Sequence, residues 1–404
     1  MPSLGCLSGY NAPMRKIVTR LLALPDLAKQ SVFLWGPRRT GKSYWIRRNL
    51  PDAPLIDLLQ TDVFAEYASR PALLRERYSV PGATRRGVPI VVDEVQKLPV
   101  LLDEIHWLIE NRKLTFLLTG SSARKLRRGH ANLLAGRARR REMRPLCFPE
   151  IDHLDLDRIV VSGLLPPHFL SDDPTDNIRS YVNDYLKEEI VAEGLAIDLP
   201  AFSDFLRVAA ITNGELLNYT NVAREVGVSA KIVRGYFDVL EDTLLGFRLA
   251  PWTKSPNRRL IQTPKFYLFD VGIANHLARR RPRAGTPEFG KSVEHLVLLE
   301  LLAFRSYRNQ DLEIRYWRTS TGQEVDFILD DKAVAIEVKA STRVANVTLR
   351  SLSVLADNGP VRRRIVVCLE RQPRVVPDRH GPIQLLPLRD FLEELWAGTI
   401  AAPG

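Results

Sequence analysis

A complete phosphate-binding motif lies near the start of the chain. Residues 36–43 read GPRRTGKS, which satisfies GxxxxGK[ST], and they follow the apolar run Val32–Trp35. In a strand–loop–helix setting, backbone N–H groups hold phosphates, Lys42 reaches the terminal phosphates and Ser43 offers its hydroxyl to Mg²⁺. The alternative, a glycine turn with a chance lysine, does not account for a full match in this context. We therefore predict that ATP and Mg²⁺ bind to the loop residues Gly36, Pro37, Arg38, Arg39, Thr40, Gly41, Lys42 and Ser43.

Two further apolar runs end in polar residues. Pro89–Val92 ends in Asp93 and Glu94. Asp93 is placed to hold the Mg²⁺ shell and Glu94 to orient and deprotonate the attacking water, although acid pairs at strand ends also cap helices. The run Leu114–Leu118 ends in Thr119. Thr119 either contacts the γ-phosphate or its water, or it belongs to a strand-to-helix turn.

Composition limits the class of protein. The chain has 404 residues, 45% of them hydrophobic and 26% charged, with a net charge of +11 and a pI near 9.6. This length allows two or three domains, and the positive charge favours a polyanionic partner. The sequence has neither a run of 18 apolar residues nor a secretory signal, and its three cysteines are widely separated. We expect a cytoplasmic protein without a membrane segment.

Much of the positive charge lies between Arg124 and Arg144, where Glu142 is the only acid. This segment is either a solvated basic face or a source of arginine fingers. In the second interpretation Arg137 or Arg139 reaches the nucleotide of a neighbouring subunit, while other arginines meet phosphates. An arginine supplied in trans requires a homo-oligomer. We expect a dimer at least, or a ring such as a hexamer.

The order of apolar and polar segments predicts four units. Residues 1–150 alternate strands and helices as a parallel α/β nucleotide-binding unit, and 151–200 are a linker with a helical stretch from Asp176 to Leu199. Residues 201–275 form a winged-helix-like domain, and 276–404 form an α/β domain.

The winged-helix prediction rests on three helices and a hairpin. Helices are expected over Ser203–Thr212, over Leu217–Val226 and after Ser229, and residues 247–250 pair with 265–269 as the wing. If the unit binds DNA, the contacts come from the third helix and the wing tip; otherwise it is a spacer or protein-contact module. The expected DNA-binding residues are Lys231, Arg234, Arg258 and Arg259.

The last unit carries a second group of acids. Glu337 and Lys339 project to one face of a predicted strand, and Asp326 comes next to them if residues 330–332 close a hairpin. Asp326 and Glu337 then hold a divalent metal, Lys339 stabilises the attacking hydroxide or the pentavalent phosphate, and Glu294 completes the shell. The alternative is a sheet edge with salt bridges.

The order of these segments resembles a widespread prokaryotic family that joins an AAA+-type P-loop ATPase to a C-terminal domain of unknown function. The resemblance covers nearly the whole chain, and its motifs are GPRRTGKS (36–43), VVDE (91–94), LLTGSS (117–122), LLAGRARR (133–140), KFYLFDVGIANHL (265–277) and YWRTSTGQEVDFILDDKAVAIEVKAS (316–341). The terminal unit is similar to the PD-(D/E)XK restriction-endonuclease-like fold, including archaeal Holliday-junction resolvases. The resemblance implies a nucleotide site at Lys42, Ser43, Asp93 and Glu94, and a nuclease-like site at Glu294, Asp326, Glu337 and Lys339.

Three functions remain in competition at this point. The first is an ATP-driven motor that binds and remodels duplex or branched DNA. The second is an ATP-dependent nuclease that cuts DNA with a bound metal. The third is a nucleotide-gated switch of the signalling type, for which DNA is incidental. Turnover stimulated by DNA favours the first two, and metal-dependent cutting separates them.

Overall fold

The computed structural model describes residues 18–122, 134–186, 198–253, 260–308, 310–345 and 349–400. Its described strands form sheets of five, six and two strands. Of the helices within these ranges, none is long and apolar enough to cross a membrane. The predicted DNA contacts Arg258 and Arg259 lie outside the described residues.

The first domain alternates strands and helices around a parallel sheet in the order β2-β3-β4-β1-β5. Short 3₁₀ turns follow β3, precede β5 and close the domain at Phe148–Glu150. Its elements are β1 (Ser31–Trp35), α1 (Lys42–Asn49), β2 (Leu55–Asp57), α2 (Thr61–Ser69), α3 (Leu73–Ser79), β3 (Ile90–Asp93), α4 (Leu101–Arg112), β4 (Phe116–Gly120) and β5 (Ala138–Glu142). The predicted parallel α/β unit is confirmed, with β4 two residues later than expected.

Strand β1 lies inside the sheet between β4 and β5 and is buried on both faces, as its unbroken apolar run predicts. Val32 and Leu34 pack on one side of the sheet, and Phe33 and Trp35 pack on the other. Since parallel strands end at the same edge, the residues that follow β1, β3 and β4 lie side by side. The phosphate loop, the acid pair and Thr119 therefore meet at one edge of the sheet.

The middle of the chain is mainly helical and includes a two-stranded antiparallel ribbon. Its elements are α5 (Leu156–Ser162), α6 (Pro166–Phe169), α7 (Pro174–Ser180), a π-helical turn (Tyr181–Leu186), α8 (Leu199–Ile211), α9 (Tyr219–Val226), α10 (Ala230–Asp242), β6 (Gly246–Leu249), β7 (Lys265–Leu268) and α11 (Val271–Leu277). The three helices and the hairpin expected between residues 203 and 269 are present.

One helix was expected from Asp176 to Leu199, and this prediction is wrong in part. The α-helix ends at Ser180 and continues as a π-helical turn, and residues 187–197 lie outside the described part of the chain. Leu199 begins the next helix, because the Asp198 carboxylate accepts the N–H of Ala201 as an N-cap.

The last domain places a long helix against a mixed sheet in the order β12-β13-β11-β10-β9-β8. Its elements are α12 (Pro287–Tyr307), β8 (Ile314–Arg318), β9 (Glu324–Leu329), β10 (Val334–Lys339), α13 (Arg350–Ala356), β11 (Arg363–Cys368), β12 (Arg374–Val376), β13 (Ile383–Pro387) and α14 (Leu388–Ala397). β9 and β10 pair as the predicted antiparallel hairpin, with Ile336 opposite Phe327.

Helix α12 carries Glu294 and is rich in leucine. It begins after Thr286, whose side chain caps it, and most of its residues from Ser292 onward are buried. Its residues share one hydrophobic cluster with Val32 and Leu34 of β1 and with Ile336 of β10. The first and last domains are therefore joined by a common core rather than by a linker alone.

Candidate functional site: a phosphate loop and a carboxylate–lysine cluster

The phosphate loop is closely fitted to its surroundings. A Cβ atom on Gly36 would come within 2.3 Å of the Met143 carbonyl oxygen, and Gly41 has φ +97°, so both positions need glycine. The Lys42 ammonium group is buried and donates to the carbonyl oxygens of Gly36 at 2.5 Å and Pro37 at 3.2 Å. Lys42 thus lies folded against its own loop, within reach of any phosphate that enters it.

Asp93 is buried and links two elements of the site. Its carboxylate accepts the Ser43 hydroxyl at 3.0 Å, and its other oxygen accepts the Thr119 hydroxyl. The serine predicted to meet Mg²⁺ and the aspartate predicted to hold its shell are therefore in direct contact. Thr119 orients this aspartate, which is a role that the sequence analysis did not foresee.

Glu94 directly follows β3 and has a strained backbone conformation. It has φ +59°, which is uncommon for a residue with a side chain, and its carboxylate accepts from Gln96 Nε2 at 2.5 Å. The same Gln96 amide also donates to the Ser121 hydroxyl at 3.1 Å. Gln96 thus holds the carboxylate of Glu94, the predicted general base. Its position two residues after Glu94 is the sequence feature that could have identified it.

Arg20 is a second residue that the sequence analysis missed. Its side chain is only 3% exposed and pairs with Glu150 at 3.0 Å. It also donates to the Thr40 carbonyl in the phosphate loop and, at 2.7 Å, to the Tyr307 hydroxyl at the end of α12. Nothing in the local sequence marks this arginine, because all its partners are distant along the chain.

Within the basic segment, residues Ala138–Glu142 form the edge strand β5, and residues 123–133 lie outside the described part of the chain. Arg139 faces out beside Val32, and the guanidinium of Arg137 pairs with Glu110 of the same subunit. Since β5 runs parallel to β1, Arg137 lies at the opposite end of the sheet, roughly 20 Å from Gly36 at about 3.3 Å per residue. Neither arginine is placed to reach its own phosphate loop.

Two of the expected DNA-contact residues of the middle domain, Lys231 and Arg234, lie on α10. Ser229 caps this helix, its hydroxyl accepting the Ile232 N–H at 3.3 Å, and Gly227 takes the left-handed conformation before it. Lys231 is exposed in the first turn. Arg234 is also exposed, with its guanidinium 5.0 Å from the Tyr219 ring centre. Both basic groups are thus on the open side of the helix.

The β9–β10 hairpin brings the predicted acids and lysine of the last domain together. Lys339 Nζ lies 2.6 Å from Glu337 Oε1, and the Asp326 carboxylate accepts the Val338 N–H at 2.7 Å. Both carboxylates are buried. The second oxygen of Glu337 is buried with no hydrogen-bond partner. An unpartnered buried carboxylate oxygen is costly, so a proton or a cation at this oxygen would be stabilising.

Glu294 of α12 approaches the same cluster but is held by two residues of β7. Tyr267 donates to its carboxylate at 2.5 Å, and Lys265 Nζ lies 3.3 Å away. Lys265 also pairs with Glu324 at the start of β9. Lys265 and Tyr267 are two residues apart, and so they project to the same face of β7. Sequence reasoning assigned this strand to a wing and did not connect it with Glu294.

The electrostatics of this carboxylate–lysine cluster follow from burial and crowding. Burial raises the pKa of Asp326 well above its usual range, and the charges of Glu337 and Glu294 raise it further. Burial likewise raises the pKa of Glu337 to about 7, although Lys339 opposes the shift. Burial disfavours the charge on Lys265, yet the neighbouring carboxylates raise its pKa overall. The cluster holds more negative charge than it can stabilise alone.

The cluster fits a divalent cation through two carboxylates. Asp326 and Glu337 supply hard oxygen ligands, and the orphan Glu337 oxygen lacks a partner that a cation would provide. In the part of the chain that the structure describes, however, no three acidic, histidine or cysteine side chains are grouped to hold a metal. The assignment of Glu294 as the third metal ligand therefore stays a prediction. To bind the metal, the Glu294 carboxylate must first be released from Lys265 and Tyr267.

Comparison with family models divides the chain into three parts. Residues 28–152 match an AAA domain. Residues 153–284 match one domain of unknown function, DUF8612, and residues 289–391 match another, DUF4143. The match to the first part agrees with the phosphate loop, the acid pair and the parallel sheet found there. The first domain is an AAA-type P-loop ATPase domain.

Similar proteins extend over most of the chain. The uncharacterized proteins Rv2008c of Mycobacterium tuberculosis and Mb2031c of Mycobacterium bovis are each 27% identical over 376 residues, which are 88% of this chain and 82% of theirs. Among solved structures, the Aeropyrum pernix ORC2 protein is 11% identical, with a TM-score of 0.25 over 67% of this chain and 89% of its own. A signal transduction ATPase (STAND) of Pyrococcus horikoshii is 12% identical, with a TM-score of 0.20 over 70% and 48%.

Proposed function

We propose that the chain hydrolyses ATP with Mg²⁺ and uses the cycle to bind and remodel duplex or branched DNA. The observation that carries the proposal is the placement of α12 between two polar sites. Glu294 near its start belongs to the carboxylate–lysine cluster, and Tyr307 at its end contacts Arg20, which contacts the phosphate loop. These residues are about 20 Å apart at 1.5 Å per residue. One buried helix thus connects nucleotide chemistry with a second site.

The nucleotide site supports hydrolysis by positioning rather than by covalent chemistry. When phosphates enter the loop, Lys42 exchanges the Gly36 and Pro37 carbonyls for phosphate oxygens. Ser43 and Asp93 would hold Mg²⁺, which when bound neutralises charge on the phosphates. Glu94, fixed by Gln96, accepts the proton of the attacking water.

DNA as the partner is supported by the charge and by the last domain. The chain carries a net charge of +11, and Lys231 and Arg234 present basic groups on the exposed side of α10, the proposed recognition helix of a winged-helix unit. Carboxylates beside a lysine suit a phosphodiester and its metal. The similarity of this domain to a PD-(D/E)XK fold belongs to the same proposal.

A second candidate function, metal-dependent DNA cleavage, is favoured by the orphan oxygen of Glu337. Asp326 and Glu337 would hold the cation, and Lys339, 2.6 Å from Glu337, would stabilise negative charge on the phosphate. Remodelling without cleavage needs only the charges of this cluster, whereas cutting also needs the cation. The two functions therefore share one site and differ in one step.

The experiment measures ATP turnover with single-stranded, duplex and four-way-junction DNA, and follows strand integrity with Mn²⁺ in the same tubes. Stimulated turnover with intact strands supports the motor. Cutting that is lost in Asp326→Ala supports the nuclease. ATP turnover that no DNA alters would contradict both and would support a nucleotide-gated signalling protein.

A further inference from the structure

A cleft lined by arginines lies between α5, α7 and the connection from α11 to α12. Its volume is about 620 Å³, and its lining includes Arg279, Arg280, Arg281 and Arg283. His276 at the end of α11 also lines it, and no acidic side chain contributes to the described wall. This arginine cleft is separate from the phosphate loop, from α10 and from the carboxylate–lysine cluster.

The arginine segment is held in place at both ends. The backbone N–H of Arg280 donates to the Asn275 carbonyl at 2.9 Å, and its guanidinium donates to the Ile211 carbonyl. At the other end, the Thr286 hydroxyl donates to the Arg283 carbonyl at 2.8 Å. The basic groups therefore project from an anchored turn and not from a free loop.

Three of these arginines are open to solvent. Arg279, Arg281 and Arg283 are exposed, and within the described residues none of them forms an ion pair with a carboxylate. Arg279 also takes φ +53° just after α11, where glycine or asparagine is the usual residue. Arg279 lines the same cleft as three other arginines, and a positive side chain in an unfavourable backbone conformation at such a place supports a surface for an anion.

We propose that this arginine cleft binds the phosphate backbone of a nucleic-acid strand. Guanidinium groups pair with phosphate oxygens in a bidentate way, and several along one segment match the repeated charge of a strand. The cleft is concave, and Val160, Val161 and Ile178 give it an apolar wall that suits sugars between phosphates. A concave surface fits a strand better than a flat membrane. The inference rests on the proposed function and adds a contact site to it.

The test uses the full chain and charge reversal in the cleft. Binding of labelled single-stranded and duplex oligonucleotides is measured by fluorescence anisotropy across a salt series for Arg279→Glu/Arg281→Glu/Arg283→Glu. The matched control reverses three exposed arginines elsewhere, Arg85→Glu/Arg86→Glu/Arg371→Glu. Melting temperature and ATP turnover without DNA show that both variants are folded.

We expect the cleft variant to bind about tenfold more weakly or worse near physiological salt, with the slope of log K against log[salt] reduced by about 2 to 3. The control should change far less. Equal weakening in both variants would overturn the cleft while leaving DNA binding intact. A wild-type chain that binds no oligonucleotide would contradict the proposed function itself. If polyglutamate binds as tightly as DNA, and this binding is lost in the cleft variant, the cleft is a site for an acidic protein instead.

Discussion

The phosphate loop and the carboxylate–lysine cluster solve the problem of buried charge in different ways. In the loop, Lys42 and Asp93 each have hydrogen-bond partners at hand, so the site is stable before any ligand enters. In the cluster, Asp326 and Glu337 crowd together and one Glu337 oxygen has no partner. The first site exchanges existing bonds for ligand bonds. The second site holds a charge imbalance that a cation or a proton must resolve.

The largest expected effects are on nucleotide binding and ATP hydrolysis at the phosphate loop, and two substitutions separate them. Lys42→Ala should abolish nucleotide binding and all turnover, because the ammonium group meets the phosphates in the ground state. Glu94→Gln should bind ATP normally and lose about 10²- to 10⁴-fold in turnover, because it acts only on the water. Equilibrium binding of a fluorescent ATP analogue and phosphate release measure the two effects. Near wild-type turnover in Glu94→Gln would show that another group is the base.

The next largest effect concerns an arginine that a neighbouring subunit supplies to the nucleotide site. Arg137 and Arg139 lie away from their own phosphate loop, so we predict that a second subunit's arginine is needed. An arginine in trans is worth about 10³- to 10⁵-fold in P-loop systems. Mixing Arg137→Ala/Arg139→Ala chains with Lys42→Ala chains should restore part of the turnover that each lacks. Absence of rescue at every ratio, together with a monomeric mass, would refute the prediction.

These two sites also differ in how far the sequence revealed them. The loop motif is contiguous, so Lys42, Ser43 and Asp93 could be assigned from spacing and strand order. The carboxylate–lysine cluster depends on the β9–β10 hairpin. This hairpin could be predicted from the alternation of apolar and polar residues, and it places Asp326 beside Glu337 and Lys339. Lys265 and Tyr267 were missed because their partner Glu294 is 27 or more residues away along the chain. Arg20 was missed for the same reason, since side-chain partners across domains leave no local pattern.

A smaller effect tests whether the cluster takes a cation. Wild-type chain should bind Mn²⁺ or Mg²⁺ in a calorimetric titration, and Asp326→Ala should lose roughly 100-fold or more in affinity, above the 10- to 100-fold that a supporting residue contributes. The affinity should rise with pH through about 7, because the pKa of Glu337 is raised to about 7 and only its ionised form binds a cation. Glu76→Ala, which alters the exposed Arg70–Glu76 pair, is the control.

The same cluster predicts how stability depends on pH. The pKa of Glu337 is raised on folding, so its contribution is fully present below about 4.5 and is lost as pH rises to about 7. Without metal, the melting temperature should fall by a few degrees across this window, and less so in Glu337→Gln. Saturating Mg²⁺ should reverse the fall at pH 8 in the wild type only. Parallel melting curves for the two chains would contradict the charge imbalance.

Glu300 is a buried carboxylate outside both sites, and its substitution separates a structural role from metal binding. Glu300 on α12 accepts the Phe148 N–H and the Trp396 indole N–H, each at 2.8 Å, and burial raises its pKa to about 8. Glu300→Ala leaves two buried donors without a partner and should lower the free energy of unfolding by roughly 2–5 kcal/mol. Metal affinity per folded molecule should not change. Denaturant unfolding and calorimetry check this, with the exposed Glu393→Ala as control.

The central claim is that α12 couples the two sites, and one comparison of DNA affinities tests it. In a Glu94→Gln background that holds ATP, we predict that ATP changes the affinity for junction DNA by about 5- to 150-fold, the usual range of coupling between sites. Adding Tyr307→Phe, which removes the hydroxyl that contacts Arg20, should abolish most of this change. Adding Tyr67→Phe, which removes a hydroxyl that accepts from Arg77 on the neighbouring helix of the first domain, should not. An affinity that ATP leaves unchanged, or a change that survives Tyr307→Phe, would contradict the account.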